Sequence, residues 1–196
     1  MPSWKNGTQI FASTPGALKM LDNQSENWLL ARSRATPQTA ALFIGDEGWN
    51  YDRLNALVDQ VVVNIGGYAN EGTRVAAFLP NGLAFICLVH ALARCGAILV
   101  PLNTRLSDEE LNWQLGRADC SVLVIDNEAA DRLKGINQEN LKVIYSANLF
   151  DGEPGQKKAS LLPHRPQAIQ AIVFTSGTTG KPKGAMLTFA NHFYSA

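Results

Sequence analysis

Apolar side chains along this chain follow two periods, and the change of period marks its elements. At Leu54, Leu57, Val58, Val61, Val62 and Ile65 they recur every three or four positions, the spacing that lays one face of a helix on a core. Gly66 and Gly67 follow and supply the conformational freedom to stop it. Elsewhere the apolar runs are short and continuous, over residues 74–79, 97–100, 120–125, 141–145 and 168–175. Such runs predict strands buried on both faces. Between the first two lies the apolar stretch 83–93, entered through Pro80, Asn81 and Gly82 and closed by Gly96, which predicts a strand, helix, strand unit. Ser107 and Glu110 stand at the spacing of a capping box, in which each side chain satisfies the other's backbone amide at a helix start.

The remaining segments read more locally. Residues 1–24 show no periodicity and are expected to form a loosely attached leader. From Glu26, the positions Trp28, Leu29, Ala31 and Arg32 suggest a short helix ending before Pro37, since proline disfavours helical geometry at Thr36. Residues 40–44 and 48–51 flank Gly45, Asp46 and Glu47 as the arms of a hairpin. Residues 148–167 carry Gly152, Pro154, Gly155, Lys157, Lys158, Pro163 and Pro166, the composition of a surface connection and a candidate subdomain junction. Strands alternating with helices predict an α/β fold, a mostly parallel sheet layered with helices.

Composition narrows the function. A chain of 196 residues that is 46% hydrophobic and 17% charged can bury a core. Its 17 basic and 17 acidic residues cancel, leaving no broad field to capture nucleic acid or an anionic membrane. Any anion site must be local. The longest apolar stretch, 83–100, is broken by His90, Arg94 and Gly96 and does not read as a membrane span. The N-terminus lacks the apolar core of a signal peptide. Cys87, Cys95 and Cys120 form no CxxC pair and an odd set, which argues against a disulfide framework and for a reducing cytoplasm. The three histidines, His90, His164 and His192, are dispersed, so no protein-bound metal is expected. His90 reads as a core histidine, and Asp108, Glu109 and Glu110 as acids favoured at a helix start.

The chemistry concentrates after the last apolar run, in Thr175, Ser176, Gly177, Thr178, Thr179, Gly180, Lys181, Pro182, Lys183 and Gly184. Glycines let backbone amides approach a ligand closely, four hydroxyls add donors, and two lysines add charge suited to a polyphosphate. The plainer alternative is a solvated hairpin turn, which explains the glycines but not the whole run. The spacing is not that of a Walker A loop, and no dinucleotide fingerprint is present.

Together with Leu79, Pro80, Asn81 and Gly82 after one strand, and residues 96–105 around the next, this segment resembles the phosphate-loop signature of the AMP-binding, adenylate-forming superfamily, over about residues 25 to 196. Residues 188–196 are similar to the stretch after that loop in o-succinylbenzoate:CoA ligases of menaquinone biosynthesis. The resemblance implies an incomplete N-terminal domain, residues 25–196, ending just after the phosphate loop. It also implies ATP, Mg²⁺ and CoA as participants, and a small carboxylic acid activated as its adenylate and then transferred to a thiol. Thr175, Ser176, Gly177, Thr178, Thr179 and Lys183 are then expected to contact phosphate, with Gly180 and Gly184 shaping the backbone. Lys183 is the residue expected to take part in catalysis, and Lys181 could equally be a turn lysine. In the resembling ligases the helix after the loop lies near the acyl pocket, which nominates His192 or Ser195 for the acid; the alternative is a packing or capping role.

The final residues, Phe193, Tyr194, Ser195 and Ala196, carry no stop signal, and later motifs of the superfamily have no counterpart, so the chain reads as a fragment of an enzyme that should not complete the reaction alone. Two rivals remain at this level: a non-catalytic remnant that binds nucleotide or a partner, and an amino-acid adenylation module serving a carrier protein. Oligomeric state is not fixed by the sequence.

Overall fold

The computed structural model describes residues 27–152, 162, 165–175 and 182–195. The expected leader, residues 1–24, lies outside them. Helix α1 (Trp28–Ala35) is capped by Asn27, whose side chain accepts from the Leu30 amide, and stops before Pro37 as expected. Strands β1 (Ala40–Ile44) and β2 (Glu47–Asn50) form an antiparallel hairpin in which Ile44 pairs with Glu47. The turn is therefore the pair Gly45 and Asp46, with Gly45 at φ +58, a conformation glycine adopts without steric cost at the first turn position. Tyr51, predicted to extend the second arm, instead opens the next helix.

That helix, α2 (Tyr51–Ile65), carries the apolar stripe predicted from its spacing, with Leu54, Val58, Val61, Val62 and Ile65 buried. Gly66 ends it in an ordinary right-handed conformation at φ −61, so this glycine is not used for its freedom. Strand β3 (Arg74–Phe78) leads into α3 (Leu83–Cys95), whose cap Gly96 is left-handed at φ +68. Only glycine fits that site comfortably, because a Cβ there would also meet Leu162 Cδ1 at 2.8 Å. Then come β4 (Ile98–Pro101) and α4 (Asp108–Ala118). The capping box at the start of α4 is complete: Ser107 Oγ accepts from the Glu110 amide at 3.3 Å and Glu110 Oε2 accepts from the Ser107 amide at 2.8 Å. The Ser107 backbone amide first, and the Ser107 side chain second, favour the charged form and hold the Glu110 carboxyl below the usual range.

Strands β5 (Val122–Ile125) and β6 (Lys142–Tyr145) are linked by a 3₁₀ segment, Asn127–Gly135, that carried no periodic signal. Strand β7 (Ile169–Thr175) is followed by β8 (Lys183–Thr188) and α5 (Phe189–Ser195). The six larger strands form one sheet in the order β6-β5-β3-β4-β7-β8. All neighbours are parallel except β7 and β8, which are antiparallel. The expected α/β class and mostly parallel sheet hold, and the antiparallel edge was not foreseen.

Helices α2 and α3 pack with Val75, Ala77, Leu99 and Val124 on one face of the sheet. Leu111 and Leu115 of α4 pack with Ala76, Phe78, Val100 and Leu123 on the other. Consecutive residues of β3 and β5 thus serve opposite layers, which is why both strands read as unbroken apolar runs. Burying a Leu, Val or Phe side chain of this kind contributes about 1.5–3 kcal/mol.

One charged group lies inside this framework. Arg94 of α3 is 2% exposed, pairs with Asp59 of α2 and donates to Asn55 Oδ1 at 2.7 Å. Burial pulls its pKa down and Asp59 opposes that shift. Because desolvation of the ions offsets most of the attraction, the pair fixes how α2 and α3 meet rather than adding much net stability. Gln60 and Asn64 of α2 hold the chain after β6: Gln60 Nε2 donates to the Phe150 and Asp151 carbonyls at 2.7 and 3.1 Å, and Asn64 Nδ2 to that of Leu149 at 3.0 Å. Of the predicted surface connection, Leu162 donates its amide to the Arg94 carbonyl at 3.0 Å and Arg165 pairs with Glu71 at 2.7 Å.

His90 sits one turn before Arg94, half-buried. Burial first, and the Arg94 charge second, push its pKa from the ordinary 6.5 down to about 4. Between those values the unfolded chain binds a proton that the folded chain refuses, so stability must fall as pH is lowered through that window and level off below it. Urea melts of the protein across this range should lose about 1–3 kcal/mol, and His90→Leu should remove the slope.

Candidate functional site

The hairpin β7–β8 frames the glycine- and hydroxyl-rich turn. Its arms pair from Ile169 with Thr188 up to Thr175 with Lys183. The segment first read as a loop from Thr175 to Gly184 is therefore narrower. Thr175 is the last residue of β7, while Lys183 and Gly184 are the first of β8. Sequence reasoning missed β8 because Lys183 and Gly184 read as turn chemistry; the apolar Ala185, Met186 and Leu187 were the available signal. Thr175 and Lys183 are both exposed, and Thr175 Oγ1 donates to the Lys183 carbonyl at 3.4 Å, so the stems stay tied at the mouth of the turn. Ser176, Gly177, Thr178, Thr179, Gly180 and Lys181 lie outside the described residues.

The topology fixes where this turn is. Strand β7 lies beside β4 in parallel. The connection leaving β4 crosses back to β5, whereas β7 turns the other way into β8. Diverging connections at the carboxyl ends of neighbouring parallel strands leave a crevice there, which is where open α/β sheets bind ligands. The turn opens at that edge.

Gly184 is needed for space rather than for an unusual backbone. A Cβ on it would meet Ile172 Cγ2 at 3.0 Å and the Phe174 ring at 3.6 Å. The Phe174 ring is itself held edge-on by Trp113 of α4, with centroids 5.7 Å apart. Core packing thus reaches the first residues of β8.

His192 and Ser195 stand elsewhere. Helix α5 begins at the amino end of β7, where the Phe189 amide donates to the Ala168 carbonyl at 3.3 Å. Thr188 and Asn191 cap this start reciprocally, the Thr188 amide donating to Asn191 Oδ1 at 2.9 Å and the Asn191 amide to Thr188 Oγ1 at 3.2 Å. His192 Nδ1 lies 2.5 Å from Gln170 Oε1 of β7. Ser195 Oγ donates to the His192 carbonyl at 2.9 Å and is exposed. Gln170 and Thr175 are separated by five strand steps, roughly 17 Å. The structure therefore brings Thr175, Lys183 and Gly184 together and sets His192 and Ser195 apart from them. Gln170, buried at 8% exposure, carried no signal in the sequence beyond being a polar residue inside an apolar run.

The cysteines are free thiols. Burial pushes Cys87 and Cys120 up to about 12 and Cys95 to about 11, so none is a ready nucleophile. Among the described residues, no group of three or more His, Cys, Asp or Glu side chains could hold a metal ion, and no helix is long and apolar enough to cross a membrane.

An open, mostly parallel α/β sheet with an antiparallel edge hairpin is the fold of the N-terminal domains of adenylate-forming enzymes. The chain belongs to the AMP-binding enzyme family, whose model matches residues 29–196. It is 37% identical over 177 residues to the 2-succinylbenzoate–CoA ligase of Bacillus mycoides (strain KBAB4), covering 87% of this chain and 34% of the relative. Two solved structures of the o-succinylbenzoate CoA synthetase from Bacillus subtilis are similar. One is a complex with the acyl-adenylate intermediate OSB-AMP, with TM-score 0.75 and 27% identity over 86% of this chain and 44% of that one. The other is a complex with ATP and magnesium ion, with TM-score 0.74 and 26% identity over 86% and 45%. The chain spans about a third of the length of the curated relatives it matches.

The fit at Gly184 can be tested directly. Gly184→Val should cost about 1–3 kcal/mol by overpacking against Ile172 and Phe174, and Gly184→Ala clearly less, as read by chemical denaturation.

Proposed function

We propose that the protein carrying this chain is an ATP-dependent acid–thiol ligase that forms an acyl-adenylate and then a CoA thioester, with o-succinylbenzoate as the acid. The observation that carries this reading is the β7–β8 hairpin, which holds the turn at the carboxyl edge with Thr175 and Lys183 exposed at its mouth. The similarity to 2-succinylbenzoate–CoA ligases supports the choice of acid. Residues 25–196 are read as part of the nucleotide-binding N-terminal domain and residues 1–24 as its leader. Three free thiols, two of them buried, suit a reducing cytoplasm.

In this reading a carboxylate oxygen attacks the α-phosphorus of ATP and displaces pyrophosphate, and a thiol then attacks the acyl carbonyl and displaces AMP. Thr175, Ser176, Gly177, Thr178 and Thr179 hold the β- and γ-phosphates through hydroxyls and backbone amides, with Gly180 and Gly184 allowing close approach. The Lys183 ammonium adds charge that makes pyrophosphate a better leaving group. This donor set suits phosphate oxygens and offers no carboxylate cage, the arrangement in which Mg²⁺ is held largely by substrate phosphates and water. When bound, Mg²⁺ would supply further neutralisation of those oxygens. His192 and Ser195, lying toward the other end of β7, are read as meeting the far end of the acid and not its reacting carboxyl.

Exchange of labelled pyrophosphate into ATP should require the acid, and Lys183→Ala should lower its rate by about 10–100-fold. Exchange without any added carboxylate, or none with o-succinylbenzoate, overturns the reading. Exchange that depends on an amino acid, with transfer to a carrier protein, would favour an adenylation module; nucleotide binding with no exchange would favour a non-catalytic remnant. His192→Ala should raise the KM for the acid with little change in that for ATP.

A further inference from the structure

Gln170 is a long polar side chain inside an apolar strand, 8% exposed, and its amide oxygen lies 2.5 Å from Nδ1 of His192. A buried amide in such a position must be hydrogen-bonded or cost stability. An oxygen at Nδ1 can only accept, so Nδ1 carries a proton in both the neutral and the charged ring. The second ring nitrogen, Nε2, lies on the other side of the imidazole. The position is built from two directions. Strand β7, paired on both sides, fixes the glutamine, while the reciprocal Thr188 and Asn191 cap fixes the start of the helix that carries the histidine.

We propose that Gln170 is a positioning residue of the acid site: it holds the His192 ring by Nδ1 and so presents Nε2 to a hydrogen-bonding group at the far end of the carboxylic acid. The proposal rests on the reading of His192 as a residue of that site. Gln170 itself touches neither the acid nor ATP. Its part is to select one tautomer and one ring orientation, so that the histidine does not have to be ordered when the acid binds. The group recognised at Nε2 is polar, and an acid of the same length ending in a bare hydrocarbon should gain nothing from the pair.

The test uses the protein as its gene encodes it, with o-succinylbenzoate, ATP and CoA. Gln170→Met keeps the length of the side chain and removes the acceptor. It should raise the KM for the acid about 10-fold while kcat and the KM for ATP stay within about 2-fold. Gln170→Glu, which restores an acceptor oxygen at the same reach, should recover most of that loss. Combining Gln170→Met with His192→Ala should be no worse than His192→Ala alone, because the two residues act as one unit. If His192→Ala raises the KM for the acid but Gln170→Met does not, positioning by Gln170 is overturned and the role of His192 stands. If His192→Ala has no effect, both fall. Should Gln170→Met fail to fold, ¹⁵N NMR of the unsubstituted protein decides: a neutral His192 protonated at Nδ1 supports the proposal, and one protonated at Nε2 overturns it.

Discussion

The structure around the site depends on the pairing of β7 from both sides. Its parallel neighbour β4 ties it to the core, and its antiparallel neighbour β8 brings Lys183 back opposite Thr175. A glycine-rich segment is costly to order, since glycine loses more backbone freedom on folding than any other residue. Closing it between two registered strands pays that entropy through hydrogen bonds made elsewhere in the ladder. The site proposed for phosphate therefore rests on sheet formation.

The same strand gathers the other features of the site. Its successive residues serve opposite layers: Ala171 packs with α2 and α3, Ile172 with α4. Phe174, one residue before the end of β7, is braced by Trp113, and Ile172 crowds the space a side chain at position 184 would need. At the opposite end Gln170 reaches His192. One rigid element thus separates the site proposed for phosphate from the site proposed for the far end of the acid by a fixed length of strand, which makes the distance between them a property of the sheet. A site on such an element is more precise than one built from loops alone.

Charge is used sparingly in this chain. The buried Arg94 is matched by Asp59 and Asn55, His90 beside it is kept neutral, and the buried thiols are kept protonated. The candidate site's Lys183 is exposed at the surface instead and can meet an anion from solvent. That division follows from solvation: an ion inside the core must be paired, whereas one at the sheet's edge can wait for its ligand in water.

By itself the sequence determined the α/β class, the apolar stripe of α2, the capping box at Ser107 and the helix stop at Gly96, and it nominated the segment proposed to carry the phosphate chemistry. Each is a local pattern, set by the period of apolar residues or by the backbone needs of a few neighbours. Tertiary structure decided the rest. The antiparallel β8 was hidden because its first residues belong to the turn motif as well as to the strand. The role of Gly184 depends on the Ile172 side chain across the hairpin, which only folding places there. The partnership of Gln170 with His192 joins residues 22 positions apart through a strand register and a helix start, and no local pattern encodes such a meeting.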